Sequence, residues 1–257
     1  MQPSVTETVR LRKVRVIRTE VTAAPYGQFV DEISQLAHRR QSSYVCFANV
    51  HMLMEADQHP DFNEVVNQAD LVAPDGRPVS LLMNYRHAIA QERVCGMDLF
   101  PDLLRVAEAK GLSVFFYGST PEVLRAIEEK THRMFPTLTI AGTHSPPFRP
   151  LSPDEDQAAV DLINQSGAHL VFVSLGCPKQ ERWMHAHRPR VQACMLGVGQ
   201  AFLTYTGHEK RLPRWTRNLS LEWAYRFYLE PRRLWKRYLL GNTRFLWRAA
   251  QSLLQNV

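Results

Sequence analysis

Short apolar segments alternate with longer amphipathic segments through the second half of the chain, and this alternation restricts the fold more than any other feature. Strands that alternate with helices form parallel sheets that are covered by helices on both faces. The sequence therefore predicts an α/β fold with a mostly parallel sheet. The predicted strands are residues 112–117, 138–141, 169–174 and 191–196, and the helices between them are residues 122–135, 154–165 and 178–187.

The first half of the chain has the same mixture with weaker signals. Asp98 is the predicted N-cap of one helix, and Gly111 is expected to end it; Thr120 and Pro121 are expected to open the next helix. Strands are predicted at residues 13–18, 44–48 and 71–73, and helices at residues 28–40, 51–58, 61–68 and 98–110.

Positive charge is concentrated at the end of the chain. The whole sequence has 31 Lys and Arg and 25 Asp and Glu, of which residues 208–257 carry 11 and 3, a net charge of +8. The other residues carry 20 and 22, a net charge of −2, and the same segment holds four of the five tryptophans. We therefore divide the chain into an α/β domain at residues 1–207 and a helical appendage at residues 208–257, with helix breaks predicted at Pro231 and Gly241.

Arginine and aromatic side chains are interleaved in this appendage, which is typical of a surface that contacts an anionic partner. An interfacial helix on anionic lipid, a nucleic-acid surface and simple packing against the body or another subunit all remain open, although no recognised nucleic-acid module is present. No apolar run approaches the roughly 20 residues that span a bilayer. The start of the chain has no apolar core of a signal peptide, and the four cysteines lack C-x-x-C spacing. These features predict a cytoplasmic protein with reduced thiols.

Polar and glycine-rich loops follow five of the predicted strands. In a parallel sheet such loops meet at one edge, where ligands bind, and glycine lets the backbone approach a diphosphate. Neither G-x-G-x-x-G nor a Walker A motif is present. The candidate binding residues in these loops are Asn49, Gly76, Gly118, Gly176, Cys177, Pro178, Lys179, Gly197 and Gly199.

Three side chains near this edge are candidates for catalysis. Asp75 lies in a Pro-Asp-Gly turn and has the carboxylate that a general base needs, although aspartate also favours turns for conformational reasons. Arg93 offers a bidentate contact to phosphate, or is a solvated surface arginine. Gln180, in the first turn of a helix with Lys179, offers contacts to a sugar or phosphate, or belongs to a solvated helix start.

Two further patterns are better explained by local structure than by catalysis or metal binding. Cys177 has no identifiable base beside it, so a small loop residue is the simpler interpretation than a nucleophile. Asp154 and Asp156 form a D-x-D string, but acidic residues suit the start of a helix because of its dipole. No metal site is predicted.

A series of short motifs runs along the chain: NVHM at 49–52, ADLVAPDG at 69–76, RVCGMDL at 93–99, LGCPKQE at 175–181, GVG at 197–199, KRLPRW at 210–215, LEW at 221–223, EPRRLW at 230–235 and RY at 237–238. Each motif alone is weakly specific, but their order and spacing together are highly specific. In that order they resemble the WecG/TagA/CpsF glycosyltransferases, family 26, from about residue 44 to residue 247.

The resemblance implies a Rossmann-like fold and an inverting transferase of bacterial cell-surface or exopolysaccharide synthesis. The donor would be a UDP-sugar and the acceptor a polyprenyl-diphosphate-linked sugar, with no metal and no cofactor. By the same resemblance Asp75 would be the general base, Arg93 would lie near the diphosphate, and Gln180 would serve activity. The appendage would complete the site and contact the inner face of the plasma membrane; the residues that we expect there are Arg211, Arg214, Trp215, Arg226, Arg232, Arg233, Trp235 and Arg237.

The chain departs from the family pattern at two positions. Many members carry Thr where this chain has Phe47, and Asp where it has Leu203. The identities of the donor sugar, the acceptor sugar and the linkage therefore remain open, as does a homo-oligomer. The rival interpretations are a nucleotide-sugar epimerase or dehydrogenase, which would need NAD, and a non-catalytic adaptor for membranes or nucleic acid.

Overall fold

The computed structural model describes residues 11–210, 227 and 231–254, and for residues 231–240 it describes the backbone alone. Within this part of the chain, no helix is both long and apolar enough to cross a bilayer. The strands are β1 Lys13–Val16, β2 Thr19–Thr22, β3 Ser43–Ala48, β4 Leu71–Pro74, β5 Val114–Gly118, β6 Ile140–His144, β7 Leu170–Ser174 and β8 Cys194–Gly197. The helices are α1 Tyr26–Arg39, α2 Val50–Gln58, α3 Pro60–Asn67, α4 Arg77–His87, α5 Gly96–Lys110, α6 Pro121–Met134, α7 Pro153–Ser166, α8 Lys179–His187, α9 Ala201–Thr206 and α10 Pro231–Leu254.

Six strands form one parallel sheet in the order β4-β3-β8-β7-β5-β6. Strands β3, β8 and β5 are buried along their whole length, because helices cover both faces. One face packs against α2, α3, α7 and α8, and the other packs against α1, α5, α6 and α9. The predicted parallel α/β fold is confirmed.

An antiparallel hairpin at the start of the chain was predicted as a single strand. Ile17 has a φ of 61°, and the chain turns there so that β1 pairs with β2. The hairpin lies beside the edge strand β4, where the backbone N–H of Val72 donates to Thr22 Oγ1 at 3.0 Å. Isoleucine at a positive φ is uncommon, so the sequence carried no turn signal.

The helix ends confirm some of the predicted caps and correct another. Thr120 accepts a hydrogen bond from the backbone of Val123, and Gly111 ends its helix with a φ of 66°. Asp98 is not an N-cap, because α5 begins at Gly96 with Cys95 in the cap position. Helices α4 and α9 were absent from the prediction, since neither has a long apolar stripe.

The C-terminal helix α10 runs through Gly241, so the predicted break there is wrong. A single glycine inside a helix costs only about 1 kcal/mol relative to alanine. The end of α10 packs on the body: Phe245 is buried in the core, and the Arg86 guanidinium donates to the Ser252 carbonyl at 2.8 Å.

The predicted membrane residues cannot be compared with the structure. Outside the described residues lie Arg211, Arg214, Trp215 and Arg226, and the side chains of Arg232, Arg233, Trp235 and Arg237.

Candidate functional site

Five loops from five adjacent strands meet at the carboxyl edge of the sheet. Because the sheet order is β4-β3-β8-β7-β5, the five loops that were predicted from the sequence to bind a ligand lie side by side. Neighbouring strands are about 4.8 Å apart, so the edge from β4 to β5 extends over roughly 19 Å. This edge is the candidate site.

Asp75 and Asn49 lie beside each other at one end of this edge. The backbone N–H of Asp75 donates to the Ala48 carbonyl at 2.9 Å, which joins the ends of β4 and β3. Gly76 has a φ of 106° and lets α4 begin at once, so Asp75 is half-buried in a tight turn. Asn49 Oδ1 accepts from the Met52 N–H at 3.1 Å and caps α2, which leaves its Nδ2 group for a ligand.

Arg93 is brought to the same end by a backbone contact and held by a carboxylate. The N–H of Val94 donates to the Pro74 carbonyl at 2.9 Å, immediately before Asp75. Arg93 Nη2 then lies 3.0 Å from Asp98 Oδ2, and the arginine side chain is largely buried. Asp98, the predicted cap, therefore orients this guanidinium.

The glycine loops after β5 and β7 are in contact with each other. A Cβ on Gly118 would lie 2.4 Å from the Ser174 carbonyl oxygen, so a side chain has no room there. The Ser119 N–H donates to the same carbonyl at 3.0 Å, and Ser174 Oγ donates to the Gly199 carbonyl at 2.8 Å. The loops after β5, β7 and β8 thus form one connected surface with a strongly restricted backbone.

Gln180 lies inside this surface rather than on it, with only 5% of its area exposed. Its Oε1 accepts from the Gly176 N–H at 3.2 Å, and its Nε2 donates to the Gly197 carbonyl at 2.8 Å. The same Nε2 donates to Glu181 Oε1 at 2.7 Å. Both amide hydrogens are therefore used by protein acceptors, and a direct contact to a sugar can come only from the second lone pair of Oε1.

No separate role was predicted for Glu181 from the sequence. It is 0% exposed, and no N–H or O–H donor among the described residues reaches its Oε2. Burial raises the pKa of Glu181 to about 7, although hydrogen bonds from Gln180, its own backbone N–H and the Cys177 thiol oppose the shift. The available signal was a glutamate directly after the glycine-containing loop, but its burial depends on how α8 packs on the sheet.

Lys179 lines a cavity of about 320 Å³ at the other end of the edge, beside β5 and β7. The wall includes Tyr117 and Trp183, whose rings stack with their centroids 4.4 Å apart. Pro178, which follows Cys177 through a cis peptide bond, begins the turn that carries Lys179 into this position. The cavity offers aromatic walls and a cation close to the glycine loops.

One carboxylate of the D-x-D string is held by protein side chains, and the other faces solvent. Asp156 accepts from His187 Nε2 at 2.8 Å and from Arg190 Nη1 at 2.6 Å, while Asp154 lies exposed in the first turn of α7. Across residues 11–210 and the described part of α10, no three His, Cys, Asp or Glu side chains lie together as a metal site.

Phe47 and Leu203, the two residues that depart from the family pattern, both pack against the core. Phe47 is buried, and its ring packs so closely on Gly96 that a Cβ there would lie 3.4 Å from it. Leu203, in α9, packs against the core on the same face of the sheet. Both side chains therefore fill space between the sheet and its helices.

Comparison with known proteins gives matches over most of the chain. The profile of the glycosyl transferase WecG/TagA/CpsF family matches residues 14–257. A Bacillus spizizenii N-acetylglucosaminyldiphosphoundecaprenol N-acetyl-beta-D-mannosaminyltransferase is 34% identical over 202 residues, which are 78% of this chain and 76% of the relative. The Bacillus subtilis enzyme of the same name is 30% identical over 214 residues, 82% of this chain and 81% of the relative. Like these relatives, the chain belongs to the WecG/TagA/CpsF family of glycosyl transferases.

Proposed function

We propose that this protein is an inverting glycosyltransferase that moves a sugar from a UDP-sugar to a polyprenyl-diphosphate-linked sugar. The observation that carries the proposal is the joint position of Asp75 and Arg93, a carboxylate and a guanidinium held at the same end of a glycine-lined edge. A base and an anion-binding group at the same end of this edge suit the attack of a hydroxyl and the departure of a diphosphate.

The donor would lie along the edge of the sheet. Its sugar would be near Asn49 and Asp75, its diphosphate over the glycine loops, and its base toward the aromatic cavity beside Lys179. The roughly 19 Å between β4 and β5 is enough for an extended nucleotide-diphosphate-sugar. Backbone N–H groups at the start of α8 would face the diphosphate, and the helix dipole would favour its charge.

The reaction would be a single displacement at the anomeric carbon. The acceptor hydroxyl oxygen forms a bond to that carbon while the bond from the carbon to the UDP oxygen breaks. The hydroxyl proton passes to the Asp75 carboxylate, and UDP leaves with the bonding electron pair. Arg93 stabilises the negative charge that develops on the diphosphate. One displacement inverts the configuration at the anomeric carbon.

The acceptor assignment rests on the relatives. Both are named as transferases that add N-acetyl-beta-D-mannosamine to N-acetylglucosaminyldiphosphoundecaprenol. We propose the same class of lipid-linked acceptor for this chain, in bacterial cell-surface or exopolysaccharide synthesis. We leave the donor sugar open, because Phe47 and Leu203 replace side chains that the family pattern places near it.

A lipid acceptor requires contact with a membrane, and we propose that the appendage, residues 208–257, provides it at the inner face of the plasma membrane. Three apolar side chains of α10 are exposed to solvent: Trp247 is 57% exposed, Leu246 is 66% exposed, and Leu254 is exposed as well. Arg244 is exposed close to these side chains. Apolar and cationic side chains together favour binding to anionic lipid.

A donor screen tests the proposal. The purified protein is incubated with a panel of UDP-sugars and a short-chain lipid-diphosphate-linked N-acetylglucosamine, and the released UDP is measured with and without EDTA. We expect one donor to give acceptor-dependent UDP release that EDTA leaves unchanged, with an inverted anomeric centre in the product by NMR. A protein that shows no UDP-dependent thermal shift and no turnover would contradict the proposal.

A further inference from the structure

We infer that Glu181 is a positioning residue that fixes the orientation of the Gln180 amide and so holds the loops after β7 and β8 at the spacing that binds a diphosphate. The inference rests on the proposed function for the ligand, but not for the loop geometry. Glu181 itself is fully buried and touches no substrate.

The amide of Gln180 joins the two loops only in one orientation. Its Oε1 must face the Gly176 N–H, and its Nε2 must face the Gly197 carbonyl. The carboxylate of Glu181, 2.7 Å from Nε2, accepts the second amide hydrogen and would repel an oxygen in that place. Glu181 therefore disfavours the flipped amide, in which both loop hydrogen bonds would be lost.

The surroundings of the amide are closely packed. A Cβ on Gly197 would lie 3.0 Å from Gln180 Nε2 and 2.8 Å from Met184 Cε, so a side chain there would press on the amide and displace the end of Met184. Gly199 has a φ of 52°, and a Cβ built on it would lie 3.6 Å from Gln180 Oε1, in ordinary van der Waals contact. Two glycines thus pack around one glutamine whose amide is held by one buried carboxylate.

Hydrogen exchange on the protein without ligand gives the direct test. The Gly176 N–H lies in an exposed loop, yet we expect it to be protected, because Gln180 accepts from it. Glu181→Leu and Gln180→Ala should each speed its exchange by roughly fivefold to tenfold, the effect of one lost hydrogen bond. Glu181→Gln keeps an acceptor oxygen and should leave the exchange rate close to that of the wild type.

A double-mutant cycle on UDP affinity, measured by calorimetry, separates positioning from general support of the fold. We expect each single variant to weaken UDP binding about tenfold, and Glu181→Leu to add little in the Gln180→Ala background, because both act through the same amide. The inference would be overturned if the loss of UDP affinity in the double variant equalled the product of the two single losses. A Gly176 N–H that is unprotected in the wild type would also overturn it. A wild-type protein that protects Gly176 but does not bind UDP would instead contradict the proposed function alone.

Discussion

Arg248 Nε lies 2.7 Å from Asp57 Oδ2, and this ion pair joins the C-terminal helix to the catalytic body. The Asp57 side chain is only 2% exposed, and Arg18 of the N-terminal hairpin lies 3.3 Å from its other oxygen. One buried carboxylate therefore links both ends of the chain to α2. Because a buried charge is costly without its partners, this contact should contribute to the docking of α10 together with the burial of Phe245.

Removing Arg248 should loosen this docking. We expect Arg248→Ala to lower the free energy of unfolding by about 1.5–3 kcal/mol, the usual value for a hydrogen bond to a charged group, and to expose α10 to protease. Arg244→Ala, at an exposed position four residues earlier, is the control and should change stability by less than about 0.5 kcal/mol. Chemical denaturation and limited proteolysis check both; equal effects of the two substitutions would show that Asp57 does not hold the helix.

The general-base assignment predicts a selective loss of turnover. Asp75→Asn keeps the size and the turn but loses the basic oxygen, so transfer should fall by about 10²–10⁴-fold while UDP affinity stays within about threefold. Asp154→Asn is a matched control in the exposed D-x-D string and should retain activity. Steady-state rates and calorimetry provide the measurement, and normal turnover of the Asp75 variant would remove Asp75 from the mechanism.

The Arg93 guanidinium should contribute to UDP affinity through its planar shape as well as through its charge. Arg93→Lys keeps the positive charge but loses the planar fork that Asp98 orients, so we expect UDP affinity to fall about tenfold or more. Arg105→Lys, at a solvent-exposed arginine paired with Asp102, is the control. If Arg93→Lys binds UDP as tightly as this control does, the guanidinium does not contact the diphosphate.

The pKa of Glu181 predicts a specific dependence of stability on pH. Since the pKa is raised to about 7, the folded protein binds more protons than the unfolded chain between about pH 4.5 and 7. The free energy of unfolding should therefore fall as pH rises through this window, by up to roughly 3 kcal/mol, and then stay level with respect to this group. Urea denaturation at several pH values should show this component in the wild type and its absence in Glu181→Gln; identical pH slopes would contradict the shifted pKa.

The exposed apolar side chains of α10 predict how the protein binds membranes. Leu246→Glu combined with Trp247→Glu should reduce binding to anionic liposomes by at least about tenfold, because apolar burial is replaced by repulsion from the lipid charge. Leu162→Glu is the control, since Leu162 is 42% exposed on α7. Flotation with anionic and neutral vesicles provides the measurement. Unchanged binding of the double variant would exclude this surface as a membrane contact, whereas activity on a short-chain acceptor should be retained.

The sequence predicted the sheet and its loops well, because parallel strands and their glycine turns are local patterns. The segments 44–48, 112–117 and 169–174 read as buried strands, and each lies in the six-stranded sheet. Local patterns failed at the turn of Ile17, at the supposed cap Asp98 and at Gly241. In each case contacts with distant residues, or with the rest of a long helix, outweigh the preference of the single residue.

The sequence by itself determined the fold class and the family, and it selected the edge of the sheet that is the candidate site, because all three follow from the order and spacing of short motifs. Only the tertiary structure decided that Gln180 lies inside the loops, that Glu181 is buried beneath it, and that Asp98 orients Arg93. These facts depend on which side chains meet when α8 and α5 pack on the sheet. Gln180 is adjacent to Glu181, and Arg93 is five residues from Asp98, but their burial comes from the packing of helices on strands that are distant in the chain. No local pattern encodes that packing.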